Sequence, residues 1–187
     1  PPDTVFNSHK FMHLVNRYLG GTKAVKSFIN KIAKTNPVKK TIRILDIGSG
    51  ATDIPRDIIK FAKSKKLNLH FTCVEKEPLI TTSNLDPDLP IKYVTADIFK
   101  YYPDEKFDYI TASMFLHHLS DNQVKKHITH LRSFNPKAIF INDLHRTPLT
   151  YLGCLIITTP VPKDVRHDAL ISVKKGFRKH KNSCTYL

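Results

Sequence analysis

Apolar residues recur along this chain in two rhythms. Between residues 8 and 34, Phe11, Leu14, Val15 and Tyr18, then Val25, Phe28, Ile29 and Ile32, fall three or four positions apart on either side of Gly20-Gly21. That spacing predicts two amphipathic helices with a break between them. The denser run Ile42, Ile44, Leu45, Ile47 reads as a buried strand that stops at Gly48. Helical spacing returns in Ile54, Ile58, Ile59 and Ala62, so a helix is expected over 54–65, with Pro55 in the first turn, where a missing N–H is tolerated. LHFTCVE (69–75), IKYVT (91–95), FDYITASMF (107–115) and KAIFIND (137–143) supply four further strands, with a helix at 122–133 before the last and an apolar helix or lid at 149–159 after it. Strands alternating with helices predict a three-layer α/β/α sandwich around a mostly parallel sheet, with binding groups at the strand C-termini.

Composition narrows this picture. A chain of 187 residues with 41% apolar residues is long enough for one domain with a core. No apolar stretch approaches the ~18 residues of a membrane span, and the longest candidate, YLGCLIITTPVP at 151–162, is short and interrupted. The opening Pro-Pro-Asp-Thr is not a signal peptide, and Cys73, Cys154 and Cys184 match neither a disulfide framework nor a zinc spacing. A soluble, cytoplasmic protein is expected. The net charge of +14 is uneven: residues 1–66 hold 14 Lys and Arg against 4 Asp and Glu, 67–162 hold 9 against 10, and 163–187 hold 7 against 2. Most of the excess is lysine spread through helices, which makes a solvated face the first reading. An anionic partner ranks second, and nucleic acid third, because no recognition module accompanies the charge.

The sharpest chemical signal is ILDIGSGATDIP at 44–55, a strand, a glycine turn and a helix start. Such a turn aims backbone N–H groups and a helix N-terminus into one crevice. A dinucleotide fingerprint wants a third glycine where Asp53 stands, and a carboxylate there would repel a pyrophosphate; the G-K-[ST] of a P-loop is absent. An adenosine ligand carrying a positive group instead of phosphates survives, and S-adenosylmethionine (SAM) fits that description. Glu75 closes the second strand, where a carboxylate can accept both ribose hydroxyl hydrogens. Asp97 ends the third and can accept from an adenine amino group, with Ile98 and Phe99 beside it. Structural duties compete with these: Asp46 can orient the turn, Asp97 can cap a helix, and Phe99 can be core.

LDIGSGATDIP, VEKE, VTADIF, FDYITASMFLHHLSD and NDLHRTPLTYLG together resemble the seven-strand, class I, Rossmann-like SAM-dependent methyltransferases, over roughly residues 8–178. The last block with VRHDALISVKKGF is similar to a bacterial small-molecule branch often encoded near type III polyketide synthases. The resemblance implies a cofactor site of Asp46, Gly48, Ser49, Gly50 and Asp53 in the methionine-side loop, Glu75 and Lys76 at the ribose, Asp97 and Ile98 at the adenine, and Met114 with Phe115 along the cofactor. It implies one methyltransferase domain over 1–187, with a helical cap at 1–40, a cofactor-binding core at 41–145, and a lid with the start of the C-terminal part at 146–187. Two departures stand out. Thr52 occupies a position commonly held by glycine, and the chain stops at Leu187 before the antiparallel strand pair that completes the sheet, with SCTYL as a possible beginning of it. With no initiator Met either, a fragment of a longer polypeptide is expected.

Methyl transfer demands alignment, and an oxygen acceptor adds a base only when its pKa is high. The candidate bases are His117 and His118 after the fourth strand, His145 after the fifth, and His167, backed by Asp168 if a loop folds back. No metal spacing joins these histidines. The expected partner is a small, aromatic or hydrophobic acceptor, O-methylated under the greasy lid, in a monomer or homodimer. RNA or protein methylation, and cofactor binding without catalysis, are the alternatives; the absence of an N-P-P-Y-like stretch at SMFLHH ranks methylation of base amino groups lower.

Overall fold

The computed structural model describes residues 21–35, 40–77 and 86–177. Helix α1 (Gly21–Thr35) leads into strand β1 (Thr41–Ile47), helix α2 (Asp53–Ser64), β2 (Asn68–Glu75), β3 (Ile91–Thr95), β4 (Tyr109–Ser113), α3 (Asp121–Ser133), β5 (Ala138–Asn142), α4 (Pro148–Ile157) and α5 (Lys163–Lys175). Short 3₁₀ turns follow β3 at Ile98–Lys100 and β4 at Leu116–His118. The five strands form one parallel sheet in the order β3-β2-β1-β4-β5. The strand order runs outward from β1 to one edge and then from β4 to the other, and this switch point between β1 and β4 opens a crevice at the strand C-termini, where ligands bind in such sheets.

Strand alternation feeds two cores. Ile42 and Ile44 of β1, Leu69, Phe71 and Cys73 of β2, Tyr109 and Phe140 face α1 and α2, which contribute Val25, Phe28, Ile29, Ile32, Ile54, Ile58, Ile59 and Ala62. Phe28 stacks on Phe140 at 4.5 Å and meets Tyr109 edge-on. Leu45, Ile47, Val74, Ile110, Ala112 and Ile139 point the other way, onto Leu131, Val124 and Ile128 of α3. The expected three-layer α/β/α arrangement is therefore present, and apolar burial on both faces accounts for the continuous rather than alternating hydrophobicity of the central strands.

Differences from expectation are local. The fourth strand stops at Ser113 because Met114 is left-handed (φ 56°) and cannot extend it. VRHDALIS is no loop but the body of α5, which begins just after Pro162. The helix expected over the first residues and the strand expected at SCTYL lie outside the described residues. Among the described residues, no helix is long and apolar enough to cross a membrane.

Candidate functional site

Beyond Ile47 the backbone turns through three left-handed residues in alternation: Gly48 (φ 64°), Gly50 (φ 50°) and Thr52 (φ 59°). Gly48 is required twice over, by its conformation and because a Cβ would overlap the ring of Phe115, whose own Cβ lies 2.8 Å from that position. At Gly50 a Cβ would meet nothing, so the backbone angle alone favours glycine. Thr52 adopts the same conformation with a β-branched side chain, buried with no hydrogen-bond partner for Oγ1 among the described residues. The family-like glycine position noted in the sequence is thus a glycine-like conformation filled by threonine.

The turn is fastened at several points. Gly48 N–H donates to the Val74 carbonyl (3.0 Å), and the Ser49 hydroxyl to the Asp46 carbonyl (2.8 Å). Asp46 is buried under the turn, where its carboxylate accepts from the Thr111 hydroxyl of β4. Desolvation pushes its pKa up to about 6, with the Thr111 and Ser49 hydroxyls opposing and the Glu75 charge adding to the rise. Asp53 opens α2 and holds Arg56 at 2.6 Å, so its charge already has a cationic partner.

Between this turn and α3 lies a cleft of about 290 Å³. Glu75 stands at one end: Oε2 accepts from Gly50 N–H (3.0 Å) and Oε1 from Lys76 N–H (2.9 Å). Asp97 uses Oδ1 to cap the following 3₁₀ turn through Phe99 N–H (3.0 Å), while Oδ2 stands 3.8 Å from Lys76 Nζ. Its capping duty and its place on the cleft coexist. Gly48, Glu75, Lys76, Asp97 and Ile98 are brought together on this one lining, with Phe99 and Phe115. Asp46, Ser49, Gly50, Asp53 and Met114 are not among them; Met114 packs against Leu144, Cys154 and Val173.

The opposite wall was missed by sequence reasoning: Leu119, Gln123, Lys126 and His127 of the α3 side. Gln123 and His127 are one helical turn apart, a spacing that puts them on one face, but nothing in the sequence says which face meets the cleft. His127 is 8% exposed, gives Nδ1 to the Gln123 carbonyl at 2.8 Å, and sits edge-on to Phe99 and Phe115. His130, one turn on, binds the Ile98 carbonyl through Nε2 (2.8 Å) and so ties the 3₁₀ turn to α3.

A second polar group lies where β4 and β5 end. His117 and Asp143 side chains are each 2% exposed and joined Nδ1 to Oδ1 at 2.6 Å. The same carboxylate accepts from His117 N–H (3.1 Å) and Leu144 N–H (2.7 Å). Three N–H donors on one carboxylate fix the orientation of the imidazole and put a proton on Nδ1, so that Nε2 carries a free lone pair whenever the ring is neutral. Asp143 was not singled out in the sequence. His118 is exposed, its ring 4.0 Å from that of His117; partial desolvation and then the neighbouring His117 hold its pKa below the ordinary value. His145 lies beyond β5, in a backbone bridge to Phe177: Arg146 N–H donates to Phe177 (2.9 Å), Phe177 N–H to Leu144 (2.8 Å), and Gly176 approaches the Leu144 carbonyl so closely that a Cβ would stand 2.6 Å from it. His167 and Asp168 are exposed on α5, about 100° apart around the helix, so Asp168 does not back the imidazole. Among the described residues, no group of histidines, cysteines and carboxylates could hold a metal ion.

No protein-family model and no curated protein matches the chain. Solved structures do. The plantazolicin methyltransferase BpumL, in complex with pentazolic desmethylPZN analog and SAH, superposes with a TM-score of 0.65 at 17% identity over 94% of this chain and 64% of its own. The CurJ carbon methyltransferase matches 81% of this chain and 38% of its own (TM-score 0.56, 16% identity). A SAM dependent methyltransferase from Archaeoglobus fulgidus matches 87% and 73% (TM-score 0.50, 19% identity). The chain thus spans about two thirds or less of the first two. What these likenesses establish is the architecture: the chain has the three-layer, Rossmann-like α/β/α fold seen in these methyltransferases.

Proposed function

We propose that this chain binds SAM in the cleft beside the Gly48–Gly50 turn and transfers its methyl group to a small acceptor. The observation that carries the reading is the pairing of that turn with Glu75. A carboxylate at the end of β2, bonded to Gly50 N–H, keeps acceptor capacity for a ribose diol while closing the phosphate-binding N–H group to anions. A pyrophosphate would meet the Glu75 carboxylate where a dinucleotide fold offers bare backbone N–H groups. The residues present therefore fit an uncharged-linker adenosine better than NAD. The plantazolicin methyltransferase solved with SAH lends the same support from outside.

When bound, SAM supplies an electrophilic methyl on a sulfonium. The chain's own part is to orient and to take up a proton. Asp46, Gly48, Ser49 and Gly50 shape the amino-acid end, Glu75 and Lys76 the ribose, Asp97 and Ile98 the base, and Phe115 covers Gly48. For an acceptor with an ionisable hydroxyl, we assign the base to His117 rather than His118, His145 or His167, since His117 alone has its tautomer held by a buried carboxylate. Asp143 is its positioning residue. The hairpin of α4 and α5 covers that side and carries exposed Leu149, Leu152 and Ile156, which fit a hydrophobic acceptor.

Calorimetry with SAM, SAH and NAD tests the cofactor half. Binding of SAM and SAH without NAD is expected; NAD binding with neither of the others would overturn the proposal.

A further inference from the structure

The cleft lining holds a ring nitrogen that no protein group uses among the described residues. Its other polar side chains are engaged: Glu75 accepts from two backbone N–H groups, Asp97 caps its turn, and the Gln123 carbonyl oxygen Oε1 accepts from Ser120 N–H (2.8 Å) and the Ser120 hydroxyl (2.9 Å) in a capping box. Lys76 and Lys126 are exposed cations at the rim. His127 differs. A carbonyl can only accept, so the 2.8 Å contact from Nδ1 to the Gln123 carbonyl places the proton on Nδ1. In the neutral ring Nε2 is then an acceptor, and it has no partner among the described residues.

The surroundings define what such an acceptor meets. Phe99 packs edge-on at 4.6 Å and Phe115 at 5.8 Å, and Ile98 and Leu119 add further apolar lining to the same cleft. A flat, apolar ring with an N–H donor on its edge fits this end. The Gln123 carbonyl locks the tautomer, and the aromatic neighbours hold the ring plane.

We propose that His127 reads the base of the bound nucleoside, its Nε2 accepting one hydrogen of the adenine 6-amino group while Asp97 accepts the other. This rests on the SAM reading above and adds a specificity that reading does not contain. Two acceptors facing one amino group exclude a 6-oxo base, whose oxygen would meet two lone pairs with no hydrogen between them.

The probes are SAH and its 6-oxo analogue S-inosylhomocysteine, compared by calorimetry. The wild-type chain should prefer SAH by about 100-fold or more. His127→Phe keeps a ring against Phe99 and Phe115 but has no lone pair; it should bind SAH about 10-fold more weakly and lose about 10-fold of the preference. His127→Gln, whose carbonyl can accept, should recover part of both. A His127→Phe chain with unchanged affinity and preference would overturn the proposal. Should either variant fail to fold, the ¹⁵N resonance of His127 Nε2 in the wild-type chain decides: it should move upfield on saturation with SAH, and an unmoved resonance also overturns the assignment. Failure of the wild-type chain to bind SAH at all would instead overturn the cofactor reading itself.

Discussion

The two halves of the strand C-terminal edge are built by different means. On the β1–β2–β3 side the backbone does most of the shaping: left-handed residues aim N–H groups, and Glu75 and Asp97 stand at a rim that stays open. On the β4–β5 side the polar chemistry is dry, a histidine and a carboxylate at 2% exposure whose hydrogen bonds depend on each other. The difference teaches where damage should be felt. Changes on the open side should register mainly in ligand affinity, and changes on the dry side mainly in stability, because an unpaired buried group has no water to turn to.

Asp143→Ala is the severest way to break that contrast. It strands His117 and two backbone N–H groups, and should cost about 3 to 5 kcal/mol in denaturant unfolding. A loss under 1 kcal/mol would mean that the dry side is less dependent on its pair than its geometry implies.

Asp46 sharpens the comparison, being a buried carboxylate on the open side with a hydroxyl donor where Asp143 has backbone N–H groups. Its pKa of about 6 lies above the ordinary 3.8, so the folded state favours the protonated form. The stability contributed by Asp46 is full below about pH 4 and is lost as the pH rises through about 6. Asp46→Asn should remove this slope and raise stability at pH 7 by up to ~3 kcal/mol. Parallel stability curves for the two proteins between pH 4 and 7 would contradict this.

Smaller effects follow at Thr52 and His167. Thr52→Gly relieves a left-handed β-branched residue and removes a buried hydroxyl without a partner among the described residues, against the added chain entropy of glycine; a net gain of about 1 kcal/mol in thermal unfolding is expected. His167→Ala, on the exposed face of α5, should change stability by less than ~0.5 kcal/mol and leave SAH affinity unaltered. A larger effect would bring α5 into the site.

The same contrast explains what was legible in the sequence. The open side is local: Gly48-Ser49-Gly50 directly follows its strand, and Glu75 and Asp97 sit where strands end, so periodicity and strand termini were enough to find them. The dry side is assembled across 26 residues by the register that sets Ser113 opposite Asn142, and no pattern along the chain encodes that register. His127 falls between these cases. The helix at 122–133 was readable from its spacing, but its rotation about its own axis is decided by tertiary packing of Val124, Ile128 and Leu131. The helix that contains VRHDALIS went unread because it buries only Val173 completely, leaving a weak apolar stripe.

The backbone bridge between Leu144–Arg146 and Phe177 ties both ends of the α4–α5 segment to one point at the edge of the sheet. The segment is therefore a clasped loop, and its cooperative behaviour follows from chain topology rather than from the strength of its own core, which is small. Once the clasp opens, the loop recovers conformational entropy in a single step while the five strands keep every ladder bond. Unfolding then has two tiers: amides of α4 and α5 exchange with solvent through opening of the clasp, and those of β1 and β4 only through loss of the whole sheet.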